Sequence, residues 1–173
     1  MPEGDGRGGP AELVERVDER DRVIGVVERG EAIRRGWPHR VAVVVCRDTE
    51  GRILVHRRPG GVSRFPGRYN WLVGGAVEVG ESYRQAAERE AGEELGVRIE
   101  ARFRFSFLCR GELGPYWIGV HEAVLGEEIR PDPDEIAWCG RLTEEELSAA
   151  VRRWPFVGDS LEVLARYLAL PGP

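Results

Sequence analysis

Gly74-Gly75-Ala76-Val77-Glu78-Val79-Gly80-Glu81-Ser82-Tyr83-Arg84-Gln85-Ala86-Ala87-Glu88-Arg89-Glu90-Ala91-Gly92-Glu93-Glu94-Leu95-Gly96-Val97 is the stretch around which the chain is organised. It divides at Ser82. Before that residue, Gly74, Gly75 and Gly80 mark a loop, where the backbone turns sharply or lets another group come close. From Ser82, a good N-cap, the pattern is helical. Ala86, Ala87, Ala91 and Leu95 are strong helix formers, and Gly96 is a natural stop. Glu90, Glu93 and Glu94 stand at i, i+3 and i+4, so they share one helix face, with Arg89 on its flank. Like charges at this spacing cost about a few tenths of a kcal/mol each unless something offsets them, and no Lys in the helix does so. Two readings follow. The carboxylates are a solvated acidic face, or they are hard oxygen ligands for a divalent cation such as Mg2+.

The rest of the chain sets the frame. Its 173 residues, 42% hydrophobic and 32% charged, suit one soluble globular domain with a real core. A net charge of -5 argues against a surface that coats a nucleic-acid polymer, while leaving room for a small anionic ligand. Cys46, Cys109 and Cys139 lie far apart without metal-ligand spacing and read as free thiols packed as small hydrophobes. No N-terminal signal and no membrane-length apolar run is present, so a cytoplasmic protein without a membrane partner is expected.

Residues 1–10 are rich in Gly and Pro and read as a disordered tail. Leu13 to Val17 and Val23 to Val27, parted by the polar turn Asp18 to Arg22, predict a β-hairpin, and Gly30 to Gly36 a short helix or loop. Val41 to Val45 is a continuous apolar run, the mark of a strand buried on both faces. Ile53 to Val55 starts another strand, Pro59 to Asn70 is a loop, and Trp71 to Val73 is a short strand leading into the glycines. Ala101, Phe103, Phe105, Phe107 and Cys109 alternate with Arg102, Arg104, Ser106 and Leu108, a strand period of two, and Tyr116 to Leu125 returns beside it. Ile136 to Trp138 reads as a short strand. Thr143 with Glu146 makes a capping box for a helix to about Arg153, and a last helix spans about Gly158 to Leu170. Strands interleaved with helices predict an α/β fold in which helices cover a mixed sheet.

From Gly75 onward the central stretch resembles the Nudix box, Gly-x5-Glu-x7-Arg-Glu-U-x-Glu-Glu-x-Gly-U with U apolar. Gly75, Glu81, Arg89, Glu90, Ala91, Glu93, Glu94, Gly96 and Val97 fill every specified position. Arg57-Arg58, Pro66-Gly67, Trp71 and Gly74 upstream, with Glu135 and Trp138 downstream, extend the likeness over roughly residues 38–170. The resemblance implies a Nudix fold, an α/β/α sandwich, here with an additional N-terminal hairpin at residues 11–37 before a catalytic core at 38–170. It also implies Mg2+-dependent cleavage of a diphosphate, with Mn2+ as a substitute ion. The order Val17 to Gly25, Glu31-Ala32 and His39-Arg40-Val41 is similar to the isopentenyl-diphosphate-isomerase-like branch. True isomerases of that branch use a loop Cys and a set of His residues. Gly74 stands at the Cys position, and Ala76 and Ala32 stand at two His positions, so only His39 of that set is present.

The resemblance assigns roles that fit the residue types. Glu90, Glu93 and Glu94, with the carbonyl of Gly75, would hold the metal. Glu93 or Glu135 would serve as general base. Arg89 would orient a carboxylate of the cluster. Glu81 would hold Arg89 or a metal-bound water, or else simply sit as a charge near the helix N-terminus. Arg57, Arg58, Arg64 and Arg68 are candidates to meet the substrate phosphates, because guanidinium forks suit phosphate oxygens. Trp71, Trp117 and Trp154 are core or rim residues before they are base-stacking ones, and Trp154 to Asp159 lie where some relatives read a nucleobase. His39, His56 and His121 read as satisfied structural histidines. The expected activity is a pyrophosphohydrolase on a nucleoside di- or triphosphate or a related nucleotide conjugate, acting as a monomer or homodimer. The alternatives are isopentenyl-diphosphate isomerase and a non-catalytic nucleotide-binding module.

Overall fold

The continuous apolar run becomes the middle of a mixed sheet. In the computed structural model, which describes residues 11–126 and 128–171, this strand is β3 (Arg40–Arg47). Before it come β1 (Leu13–Val17), β2 (Val23–Glu28) and the short helix α1 (Arg29–Arg35), so the expected hairpin is present. The expected tail at residues 1–10 lies outside the described residues. After β3 come β4 (Ile53–Arg57), β5 (Tyr69–Asn70), β6 (Val73–Ala76), α2 (Tyr83–Leu95), β7 (Arg102–Gly111), β8 (Gly114–Val124), β9 (Trp138–Leu142), α3 (Glu144–Ala150) and α4 (Gly158–Leu168).

β3 pairs in parallel with β8 along its whole length, and β8 pairs antiparallel with β7. The other edge of β3 is shared. β6 takes Val41 to Val44, while β4 touches β3 only at Arg47 opposite Ile53. β4 then diverges and carries β5 and β9 with it. The two faces of β3 are both covered. Ala42, Val44 and Cys46 pack toward Ala86, Ala87, Ala91 and Leu95 of α2, and Val43 and Val45 join the cluster that holds Leu147 of α3 and Val163, Leu164 and Tyr167 of α4. A strand buried on both sides needs apolar residues at every position, which is why its sequence runs without alternation.

Four expectations change. Gly74 and Gly75 are not in a loop. They lie inside β6, opposite Val43 and Ala42, and the strand expected at Trp71 to Val73 begins only at Val73. Glycines are poor strand formers, but at Gly74 a Cβ would collide with the Ala42 carbonyl oxygen, so nothing larger fits there. The strand expected at Ile136 to Trp138 runs instead from Trp138 to Leu142 beside β4. Ile136 packs toward α2 as the end of a turn. The alternation in β7 breaks at a bulge between Phe103 and Phe105, so Phe103 is exposed whereas Phe107 and Cys109 are buried. Both capping boxes form, Ser82 with Gln85 and Thr143 with Glu146, and Gly96 ends α2 in the left-handed conformation that glycine adopts without strain.

Candidate active site

The divergence of β4 from β3 opens a cavity of about 630 Å3. β6 takes the edge of β3 that β4 leaves, and groups from α2 and from α4 reach one space there. Glu90, Glu93 and Glu94 come from α2, while Val163 and Ser160 come from α4. His39, Val41 and Val43 of the β3 side line it from below, and Arg58 and Arg64 from the segment after β4.

Glu81, just before α2, and Glu90, Glu93 and Glu94 of α2 each have a different environment. Glu81 is gripped by both arms of Arg89, at 2.9 Å from Nε and 3.0 Å from Nη2, and accepts the Glu78 amide at 3.0 Å. Arg89 also donates to the Ala76 carbonyl at 3.0 Å and to Glu90 at 2.9 Å. It therefore ties the start of the helix, the end of β6 and the carboxylate cluster into one unit. Of the alternatives for Glu81, the contact actually present is the one with Arg89. Glu90 lies against Gly75, where a Cβ would come within 2.5 Å of its Oε1. Burial raises the Glu90 carboxyl above its usual range despite Arg89. Glu94 is buried, at 9% exposure, and its Oε2 has no hydrogen-bond partner. Burial first, then the charges of Glu90 and Glu135, push it well above the ordinary carboxylate range. Glu93 is 60% exposed at the cavity mouth, 3.4 Å from Arg89.

Glu90, Glu93 and Glu94 occupy the C-terminal half of α2, where the helix dipole is negative, and the last turn holds no basic residue. Among the described residues, no three His, Cys, Asp or Glu side chains already stand together as a cation cage. The donor set nevertheless fits a hard divalent cation. A buried carboxylate oxygen without a partner, a second, partly buried carboxylate against a backbone that has no Cβ, and an uncompensated helix end all call for positive charge. The loop carrying Glu135 is fixed to this end of α2. The Arg130 amide donates to the Leu95 carbonyl at 2.7 Å, and the Asp132 amide to the Glu94 carbonyl at 2.8 Å. Glu135 and Asp132 both line the cavity.

Residues 37–166 match the NUDIX domain. The chain belongs to the Nudix hydrolase family. It is 44% identical over 164 residues to an uncharacterised Nudix hydrolase of Streptomyces coelicolor, covering 93% of this chain and 91% of that one. It is 31% identical over 147 residues to a prenyl-diphosphate phosphatase of Methanosarcina mazei, covering 83% and 86%. A crystal structure from Deinococcus radiodurans superposes with a TM-score of 0.77 at 31% identity, covering 90% of this chain and 98% of that one. The Nudix fold expected from the box is the fold observed, with the N-terminal hairpin added. No helix among the described residues is long and apolar enough to cross a membrane.

Within this Nudix hydrolase, the four candidate arginines separate. Arg58 and Arg64 line the cavity. Arg57 does not, because it follows His56 in β4 and the strand period sends it to the exposed side. Arg68 faces away as well, 3.4 Å from Glu112 and over the Phe65 ring. The tryptophans offer no stacking platform. Trp71 is buried and donates to the Ser160 carbonyl, Trp117 donates to the Asp18 carbonyl, and Trp154 packs with Tyr69, Trp138 and Phe156 outside the cavity. Of the stretch Trp154 to Asp159, Val157 and Asp159 reach the cavity wall. His56 and His121 are held by the Leu72 and Val43 carbonyls, at 2.8 and 3.1 Å. His39 departs from expectation. It is buried on the cavity wall, and neither ring nitrogen has a partner. Arg29, from the hairpin segment, also lines the cavity and carries no sequence signal. His39 had one: it shares the two-residue period of Val41 and Val43, and so their face.

Proposed function

We propose that this Nudix hydrolase is an Mg2+-dependent pyrophosphohydrolase that cleaves the diphosphate linkage of a nucleoside di- or triphosphate or a related nucleotide conjugate. The observation that carries the proposal is the carboxylate pair Glu90 and Glu94, the second buried with an unpartnered oxygen, on one cavity wall with Arg58 and Arg64. Glu90, Glu93 and Glu94, with the Gly75 carbonyl, would hold Mg2+ or Mn2+. A bound divalent ion neutralises phosphate oxygens and makes water more acidic.

The remaining roles belong to the chain. Arg58 and Arg64 bind the anionic oxygens, and Arg89 fixes the position of Glu90 while Glu81 fixes Arg89. The water oxygen bonds to phosphorus, the bond from phosphorus to the leaving oxygen breaks, and a carboxylate takes the water's proton. Glu93 and Glu135 are both on the cavity wall and able to accept it. The hairpin at 11–37 and the core at 38–170 act together as one domain, since Glu12 and Arg29 of the former line the same cavity.

A second reading is supported by the apolar part of the wall. Val41, Val43, Leu72, Ile118, Val157 and Val163 form a surface suited to a hydrocarbon chain, and one relative is named a prenyl-diphosphate phosphatase. The isomerase reading finds no proton-transfer group at Gly74, where the Ala42 carbonyl leaves no space for a side chain. The test is a panel of nucleotides, dinucleotides, nucleotide sugars and prenyl diphosphates, each incubated with Mg2+ and with Mn2+. Metal-dependent phosphate or nucleoside monophosphate release supports the proposal. Absence of turnover on every member refutes it, and conversion of isopentenyl to dimethylallyl diphosphate would restore the isomerase.

A further inference from the structure

Arg29 is the first residue of α1 and lies far in sequence from the carboxylate helix, yet its side chain is only 17% exposed and faces the cavity. Its Nε is buried without a hydrogen-bond partner. Its Nη1 meets the two Glu12 oxygens at 3.5 Å each, longer than a charge-assisted hydrogen bond normally is. Arg64 lines the same space and is half-buried. Among the described residues its guanidinium makes no hydrogen bond or close ion pair, and burial together with the nearby Arg29 charge lowers it from its ordinary value. His39 completes the group. Burial and the charges of Arg29 and Arg64, only partly offset by the Trp37 backbone, push its imidazole down to about 4, so at neutral pH it is an uncharged ring whose nitrogens make no full hydrogen bond.

Arg29 and Arg64 share one cavity with a single carboxylate, Glu12, that acts on both, so a net positive charge and an unpartnered Arg29 Nε remain for an anion to answer. The diphosphate carried by the proposed reaction already engages the carboxylate end of the cavity. Arg29 is close enough to that end to act on Glu90. A terminal phosphate that is not esterified carries about one further negative charge at neutral pH and presents more free oxygens than an esterified one.

We propose that Arg29, Arg64 and His39 form a second anion subsite that takes the free terminal phosphate of the substrate, so that the enzyme selects diphosphate monoesters over diphosphates esterified at both ends. This rests on the diphosphate-hydrolase reading and narrows it. The substrate class is then a nucleoside diphosphate or prenyl diphosphate, and not a nucleotide sugar or dinucleotide. The hairpin segment thereby supplies specificity to a site whose metal ligands all lie in β6 and α2.

The test uses the full chain. Inorganic phosphate is titrated calorimetrically into wild type, Arg29→Gln, Arg64→Gln and Arg57→Gln, in EDTA and again with saturating Mg2+. With EDTA present, phosphate binding weakens by about tenfold or more in Arg29→Gln and in Arg64→Gln and is unchanged in Arg57→Gln. With Mg2+, wild type turns over ADP and geranyl diphosphate at least about tenfold more efficiently than ADP-ribose, and Arg29→Gln erodes that preference chiefly through KM. If either arginine variant fails to fold, the other decides the matter. Equal phosphate affinity in all four proteins, or no binding in EDTA, overturns the subsite, as does a wild-type preference for ADP-ribose. If phosphate binding follows the expected pattern but no diphosphate is hydrolysed, the subsite stands and the catalytic reading falls.

Discussion

Helices α2 and α4 cover opposite faces of one sheet and are made of opposite materials. α4 presents Val163, Leu164 and Tyr167 and, with Leu147 of α3, packs large side chains against Val43, Val45, Ile53 and Val55. α2 buries mostly alanines, Ala86, Ala87 and Ala91, with Leu95 the one large apolar side chain fully buried and Tyr83 partly so. Alanine lets the α2 backbone come close to the strands, and that closeness sets Glu90 against Gly75 and buries Glu94. One face is built to hold the fold together. The other gives up apolar burial so that negative charge can be brought next to a strand. Changes on the two faces should therefore fail in different ways.

The largest expected effect is on the charged face. Glu94→Gln keeps the shape and removes the charge, and kcat should fall by about a thousandfold or more, roughly 4 kcal/mol. Because a buried charge with one unpartnered oxygen is unfavourable, the melting temperature measured in EDTA should stay the same or rise. Glu93→Gln should show a comparable loss of kcat with no change in folding. Near wild-type turnover in both variants would remove the metal-site assignment.

The apolar face should give the reverse. Leu147→Ala opens a cavity in the α3 and α4 layer and should cost about 3 kcal/mol in a denaturant titration, while kcat at 25 °C stays within about twofold. A loss of kcat matching that of Glu94→Gln would erase the distinction between the faces. Returning to the charged side, Gly75→Ala inserts a Cβ within 2.5 Å of Glu90 Oε1. The flexible carboxylate can swing aside, so the protein should fold but lose about a hundredfold in kcat/KM.

A smaller effect depends on pH. The folded-state value of His39, about 4, is below its ordinary 6.5. The unfolded chain therefore takes up a proton at higher pH than the folded one does. The His39 contribution to stability should be complete above pH 6.5 and be lost as the pH drops toward 4, by about 3 kcal/mol. His39→Gln should flatten that stretch of the stability profile, and an unchanged slope would contradict the burial assigned to the ring. The smallest effect is expected from Arg57→Gln, which points away from the cavity and should leave kcat/KM within about twofold.

Local chemistry explains what the sequence made legible. Ser82, the helix formers after it and Gly96 define α2 almost to the residue, and the two-sided burial of β3 is written in its unbroken apolar run. Gly74 and Gly75 misled because glycine signals a turn by propensity, whereas here it is chosen for lack of space beside Ala42 and Glu90, a tertiary fact. The arginines misled for a similar reason. All four lie within a dozen residues of one another, but strand alternation at Arg57 and the Glu112 partner of Arg68 turn two of them away. Arg29 enters the cavity only because the hairpin segment folds against it, which no local pattern foretells, whereas His39 follows the two-residue period of Val41 and Val43.

Direct binding of a paramagnetic ion tests the central claim, that the carboxylates of α2 exist to hold a divalent cation. Mn2+ is titrated into wild type, Glu90→Gln, Glu94→Gln and Arg57→Gln, with the free ion followed by electron paramagnetic resonance. The predicted result is a Mn2+ site in wild type and Arg57→Gln that weakens by at least about tenfold in Glu90→Gln and in Glu94→Gln. Equal Mn2+ affinity in all four proteins would contradict the account.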